Sequence, residues 1–189
     1  MIGAGGYAFG SMLIHPGEAM GQSIQGYLEK APMEARWSAA AGGQVRWMVT
    51  SLKALLDKEG REKFVEYIKK SVSASTPRFK AQADGFGFTG NDAKSAAAMR
   101  SAVQIIWFGP QNKFEFEEAT AEKARLRCTN CEIWNVTQAM KISDDICSAL
   151  SQYAWDGFAK AVNPKLASTL VKARPLGDSV CEWAFELKA

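Results

Sequence analysis

Over the first hundred residues, apolar positions recur every three or four residues, the period of helices that bury one face. From Pro16 to Lys30, Met20, Ile24, Tyr27 and Leu28 share a face, with Pro16 in the first turn and Pro32 closing the segment. A second helix is predicted over 33–58, its stripe formed by Ala41, Val45, Met48, Leu52 and Leu55. Gly42-Gly43 interrupts that stripe, so the helix either bends there or is approached closely by a neighbour. A third helix follows Gly60 through Phe64, Val65, Ile68 and Val72 and is expected to stop before Pro77. The stretch 78–90 has no helical period and sets aromatics between glycines, which reads as a surface loop or a lid over a pocket. Asn91 or Asp92 caps a fourth helix that reaches Trp107 and ends at Gly109-Pro110.

After Pro110 the period drops to two. Residues 113–118 and 123–128 alternate and are separated by four residues, as in a hairpin. Ala124, Leu126 and Cys128 then share a face, which points Cys128 into apolar surroundings. Helices are predicted over 133–140 and 143–162, the second N-capped by Ser143 and stopped by Asn163-Pro164. Its stripe is Ile146, Leu150, Tyr153, Ala154 and Phe158. Residues 166–173 and 180–188 form a second hairpin around a turn at Pro175 to Asp178, with Cys181, Trp183, Phe185 and Leu187 on one face. The expected fold is α+β: a helical N-terminal half packed on an antiparallel sheet of about four strands, with a long helix between the two hairpins. A single domain spanning 1–189 is expected, with residues 1–14 as an apolar, glycine-rich arm.

Composition narrows the function classes. With 189 residues, 47% of them apolar, the chain buries a sizeable core without needing disulfides. A net charge of +3 and no basic run longer than Lys69-Lys70 argue against a nucleic-acid partner. The arm lacks a basic leader and is too short to span a bilayer, so the expectation is a cytoplasmic protein with no membrane span and with reduced thiols.

All four cysteines lie after residue 127: Cys128 and Cys131 in a CTNC pair, then Cys147 and Cys181. The pair makes a tight metal knuckle, and zinc held by Cys128 and Cys131 with Cys147 and Cys181 is one reading; buried packing as small hydrophobes is the other. As nucleophiles, Cys147 and Cys181 are the better candidates, and His15 is the only imidazole available as a partner base. Asp144, Asp145, Asp156, Asp178 and Glu182 surround the cysteines and could activate a water, or serve as caps, turn residues and surface acids. Trp134, Trp155 and Trp183 belong to a surplus of large rings that builds a core or lines an apolar pocket.

Arg127-Cys128-Thr-Asn-Cys131, Cys147 within a helix, Asn163-Pro164 at its end and Gly177-Asp178-Ser-Val-Cys181-Glu182 before the last strand resemble the L-2-amino-thiazoline-4-carboxylate hydrolase family. That family is similar in turn to the 4-vinyl reductase small-molecule-binding domains and to TRAPP subunits. The resemblance implies an α+β domain, often a homodimer, with a pocket between sheet and helices. It also implies hydrolytic opening of a cyclic amidine sulfur heterocycle to an N-carbamoyl thiol amino acid, with carbon-nitrogen bond hydrolysis as the reaction class. The expected site is Cys181, Asp178 and Cys147 for catalysis, with Trp134, Trp155, Trp183 and Glu182 against the substrate. The alternative is a non-catalytic sensor or carrier that binds a small molecule in an apolar pocket.

Overall fold

The computed structural model describes residues 29–188, so the arm and the helix expected from Pro16 lie almost wholly outside the described residues. The chain divides into two compact units, Met1–Arg36 and Trp37–Ala189, and the elements that matter for function belong to the second.

Helix α1 (Met33–Gly85) is two helices joined at Gly60, whose φ of 77° is the left-handed conformation that glycine adopts without a Cβ penalty. Backbone geometry stays helical through Gly42-Gly43. Two stripes are buried, Ala41, Val45 and Val49 before the kink and Phe64, Ile68 and Val72 after it.

Contrary to expectation, Pro77 does not end the helix, which continues to Gly85. Proline removes one N–H, and the carbonyl it orphans belongs to Ser73, an exposed residue that water can serve. Burial of Thr76 and Ala83 on the same stripe favours continuing the helix. The loop is accordingly short. Phe86 is exposed, while Phe88 packs on Ala83, Met99, Val103 and Phe158.

Helix α2 (Ala93–Phe108) is capped by Asp92, whose carboxylate accepts the Ser95 N–H at 2.7 Å, and closed by Gly109. Strands β1 (Lys113–Ala119) and β2 (Lys123–Asn130) form the first hairpin. Two helices follow, α3 (Glu132–Ala139) and α4 (Cys147–Val162). The start of α4 corrects the expected Ser143 cap: Asp145 Oδ1 accepts the Ser148 N–H at 2.8 Å, so this carboxylate opens the helix four residues later. Strands β3 (Leu166–Lys172) and β4 (Cys181–Leu187) close the chain around a 3-10 turn, Arg174–Leu176.

The four strands lie in the order β1-β2-β4-β3, all antiparallel. Pairing of β2 with β4 sets Cys128 opposite Cys181, Leu126 opposite Trp183 and Ala124 opposite Phe185. These six residues form the buried inner face against which α2 and α4 pack. The α+β class, the helical first half and the four-stranded sheet are as the periodicity predicts.

The outer face is ionic. Glu182 is fully buried there under three basic side chains: Lys172 Nζ at 2.8 Å, Arg127 Nε at 3.3 Å and Arg125 at 3.3 Å. Burial alone would raise its pKa, but the hydrogen bonds from Lys172 and Arg127 and the nearby charges hold its carboxyl below the usual range.

Candidate functional site

Where α1, α2 and α4 meet the inner face of β4 and the start of α3, side chains leave a cavity of about 390 Å³. Its walls are mainly apolar. Trp155 and Trp183 stack with centroids 4.2 Å apart and planes 15° from parallel, and α1 contributes Trp47, Met48, Ile68 and Phe79. Tyr67 and Trp47, both more than half exposed, are aromatic wall residues that also reach solvent, as do Ser51 and Ser71.

The expected site residues separate into two groups. Cys147, Cys181, Trp134, Trp155 and Trp183 all line the cavity, and so does Cys131. Asp178 does not: it sits in the exposed turn before β4, where its Oδ2 accepts the Ala173 N–H at 2.8 Å. Glu182 faces the opposite side of the sheet, because residues alternate along a strand and its neighbours Cys181 and Trp183 point inward. The other acids are engaged elsewhere: Asp144 with Lys53, Asp145 with Arg61, and Asp156 with Lys160 and the Ser168 N–H. No Asp or Glu is among the described residues that line the cavity. His15 lies outside the described residues.

The cysteines differ sharply from one another. Cys128 is fully buried, off the cavity wall, with its Sγ 3.2 Å from the Asn130 carbonyl. Burial pushes the Cys147 and Cys181 thiols well up, and both are neutral at physiological pH. Cys131 goes the other way, down to about 7. A hydrogen bond from the Cys128 thiol acts first, against burial; the N–H groups of Trp134 and Ile133 and the charge of Arg174 add to it.

Cys128 has one proton and two acceptors within reach, so the helix end is the steadier contribution. Cys131 is the N-cap of α3, where first-turn N–H groups concentrate positive potential, although no formal cap hydrogen bond closes on its sulfur. Among the described residues no three His, Cys, Asp or Glu side chains gather as a metal-holding group. The four thiols are free, and the zinc expectation gains no ligand set from them.

Two wall residues escaped the reading of the sequence. Arg100 lies on α2 with its guanidinium 4.9 Å from the Trp155 ring centroid, and it makes no ion pair or hydrogen bond with another described residue. Burial lowers its pKa to about 10, so it stays charged at neutral pH. One turn further on, Gln104 is 4% exposed and its carboxamide makes no hydrogen bond with another described residue. A signal was present: Arg100 and Gln104 interrupt the apolar stripe of Ala96, Val103 and Trp107, where a charge has no reason to be unless something pairs with it.

The sequence model of the L-2-amino-thiazoline-4-carboxylic acid hydrolases matches residues 43–185, and so takes in every wall residue of this cavity. The chain belongs to this family. Among solved structures, one similar to it is the phenol-responsive sensory domain of the transcription activator PoxR with phenol: TM-score 0.58, 14% identity, covering 76% of this chain and 74% of that one. Another is the trafficking protein particle complex subunit 3 from Naegleria fowleri covalently bound to palmitic acid: TM-score 0.53, 11% identity, covering 77% of this chain and 96% of that one. At these identities the likeness establishes the fold. No curated protein matches. Among the described residues no helix of this family member is long and apolar enough to cross a membrane.

Proposed function

We propose that this family member holds a small cyclic amidine in its cavity and opens the ring with water. The observation that carries this reading is Cys131, a cavity-wall thiol brought to about 7 in a wall whose described residues include no carboxylate. A base of that pKa is matched to neutral pH. The Cys131 thiolate takes a proton from water as the oxygen adds to the amidine carbon and hands it to the nitrogen that receives the C=N electron pair; the adduct's hydroxyl proton then passes through the same thiolate to the ring atom expelled as the carbonyl forms. Expulsion of ring nitrogen breaks the carbon-nitrogen bond and gives an S-carbamoyl product. Expulsion of ring sulfur gives an N-carbamoyl thiol.

The test is incubation with 2-amino-thiazoline-4-carboxylate, following the mass gain of one water and the release of free thiol. Turnover is expected with the unmodified chain and a loss of about 100-fold or more with Cys131→Ala, while circular dichroism stays unchanged. Asp178→Asn, in an exposed turn, should retain activity. Full activity in Cys131→Ala sinks the mechanism.

The apolar walls favour a second reading, ligand binding without turnover. A stacked tryptophan pair and aliphatic walls suit a flat or apolar molecule whatever the fate of that molecule. Ligand-dependent thermal stabilisation with no product over hours would select this reading.

A further inference from the structure

Among the described residues that line the cavity, Arg100 is the one Asp, Glu, Lys or Arg. It is partly buried among apolar side chains, where a cation is costly unless it is paired, and none of the described residues supplies an anion for it. Its cation-π contact with Trp155 offsets part of that cost, yet it engages none of the five N–H donors. Gln104, at i+4 on α2, adds a buried carboxamide with unused donors on the same wall. Both polar ends border the cavity and make no hydrogen bond to another described residue, so their donors are open to a ligand that enters it.

We infer that Arg100 and Gln104 form an anion subsite, and that the ligand of this cavity is a monocarboxylate carried on a flat apolar body. The guanidinium fork matches two carboxylate oxygens, while Trp155 and Trp183 face the rest of the molecule. Charge count favours a monoanion: one cation neutralises one carboxylate, whereas a dianion would leave net charge in an apolar cavity. This inference rests on the cavity being a ligand pocket and is independent of turnover.

The test uses the full chain and two isosteric probes, 2-naphthoate and 2-naphthamide, titrated calorimetrically, with melting temperatures of the ligand-free variants alongside. The chain is expected to bind the carboxylate roughly ten-fold or more tightly than the amide. Arg100→Gln should bring that ratio to about one without weakening the amide, Arg100→Lys should keep part of the preference, and Gln104→Leu should lower it by less than Arg100→Gln. The ligand-free Arg100→Gln protein should melt at the same or a higher temperature, since it no longer buries an unpaired charge.

Equal affinity for both probes overturns the anion subsite and leaves the pocket reading standing. Preference retained in Arg100→Gln, or a fall of several degrees in its ligand-free melting temperature, overturns the role of Arg100. Binding of neither probe overturns the subsite and the pocket reading together.

Discussion

Trp155 on α4 and Trp183 on β4 stack 4.2 Å apart, each almost fully buried, so one ring pair is both the join between helix and sheet and a wall of the cavity. Phe114 and Phe185 sit against Trp155 at 5.7 and 5.9 Å, extending the contact across the sheet. Trp155→Ala should therefore destabilise the chain by about 3–5 kcal/mol, at the upper end of aromatic truncations, because three rings lose their partner at once. Urea unfolding followed by circular dichroism measures this, and a loss below about 1 kcal/mol would show that the stack is dispensable.

Thiol reactivity separates the four cysteines. With a short exposure to iodoacetamide at neutral pH, Cys131 should be alkylated ahead of Cys128, Cys147 and Cys181, with peptide mass spectrometry giving the order. Only the thiolate reacts, and the Cys131 value is depressed to about 7, so its rate should climb as pH rises through about 7 and level off above it. Uniform alkylation of all four, or a Cys131 rate still rising steeply above pH 8.5, contradicts the helix-end assignment.

Glu182 supports the outer face. Glu182→Gln leaves Arg125, Arg127 and Lys172 without their shared anion and should cost about 3 kcal/mol, the lower end for a broken buried pair because the three bases are partly exposed. Its folded-state pKa is depressed, so the stability it contributes is fully present above the unfolded carboxylate value, 4.5, and is lost as pH falls through the lower folded value. Acid titrations of the two proteins should converge in that region below 4.5, and parallel curves would mean that Glu182 does not titrate as described.

Gly157 marks a close approach of α4 to α1. A Cβ there would sit 2.9 Å from Thr76 Oγ1, and Thr76 is a short, buried side chain whose hydroxyl already donates to the Val72 carbonyl at 2.8 Å. Gly157→Ala gains up to about 1 kcal/mol of helix propensity and loses about 1–3 kcal/mol to overpacking, so a net loss is expected. Adding Thr76→Ala should recover part of that loss in a double-mutant cycle, and strict additivity of the two changes would rule out the contact.

Much of the fold was legible because its signals are local. Asp92 caps α2 as expected, the change to a two-residue period begins at β1, and Asn163-Pro164 stops α4. The two misjudged boundaries are places where a local rule met a tertiary one. Pro77 was outweighed by burial on both sides of it, and Ser143 by the carboxylate of Asp145. Of the candidate site, the sequence displayed only the crowding of cysteines after residue 127; that Cys131, Cys147, Cys181 and three tryptophans border one space came from the packing.

By itself the sequence determined the element types, the inward faces of β2 and β4 and membership of the family, since these depend on periodicity and on motifs contiguous in the chain. Only the tertiary structure decided which cysteine has a lowered pKa, that Glu182 is held by three bases from β2 and β3, and that Arg100 has no counter-ion among the described residues. The physical reason is that a side chain's charge state and partners are set by what surrounds it in space. Around Cys131 and Arg100 those surroundings come from α1, α4 and the last strand, elements far apart along the chain.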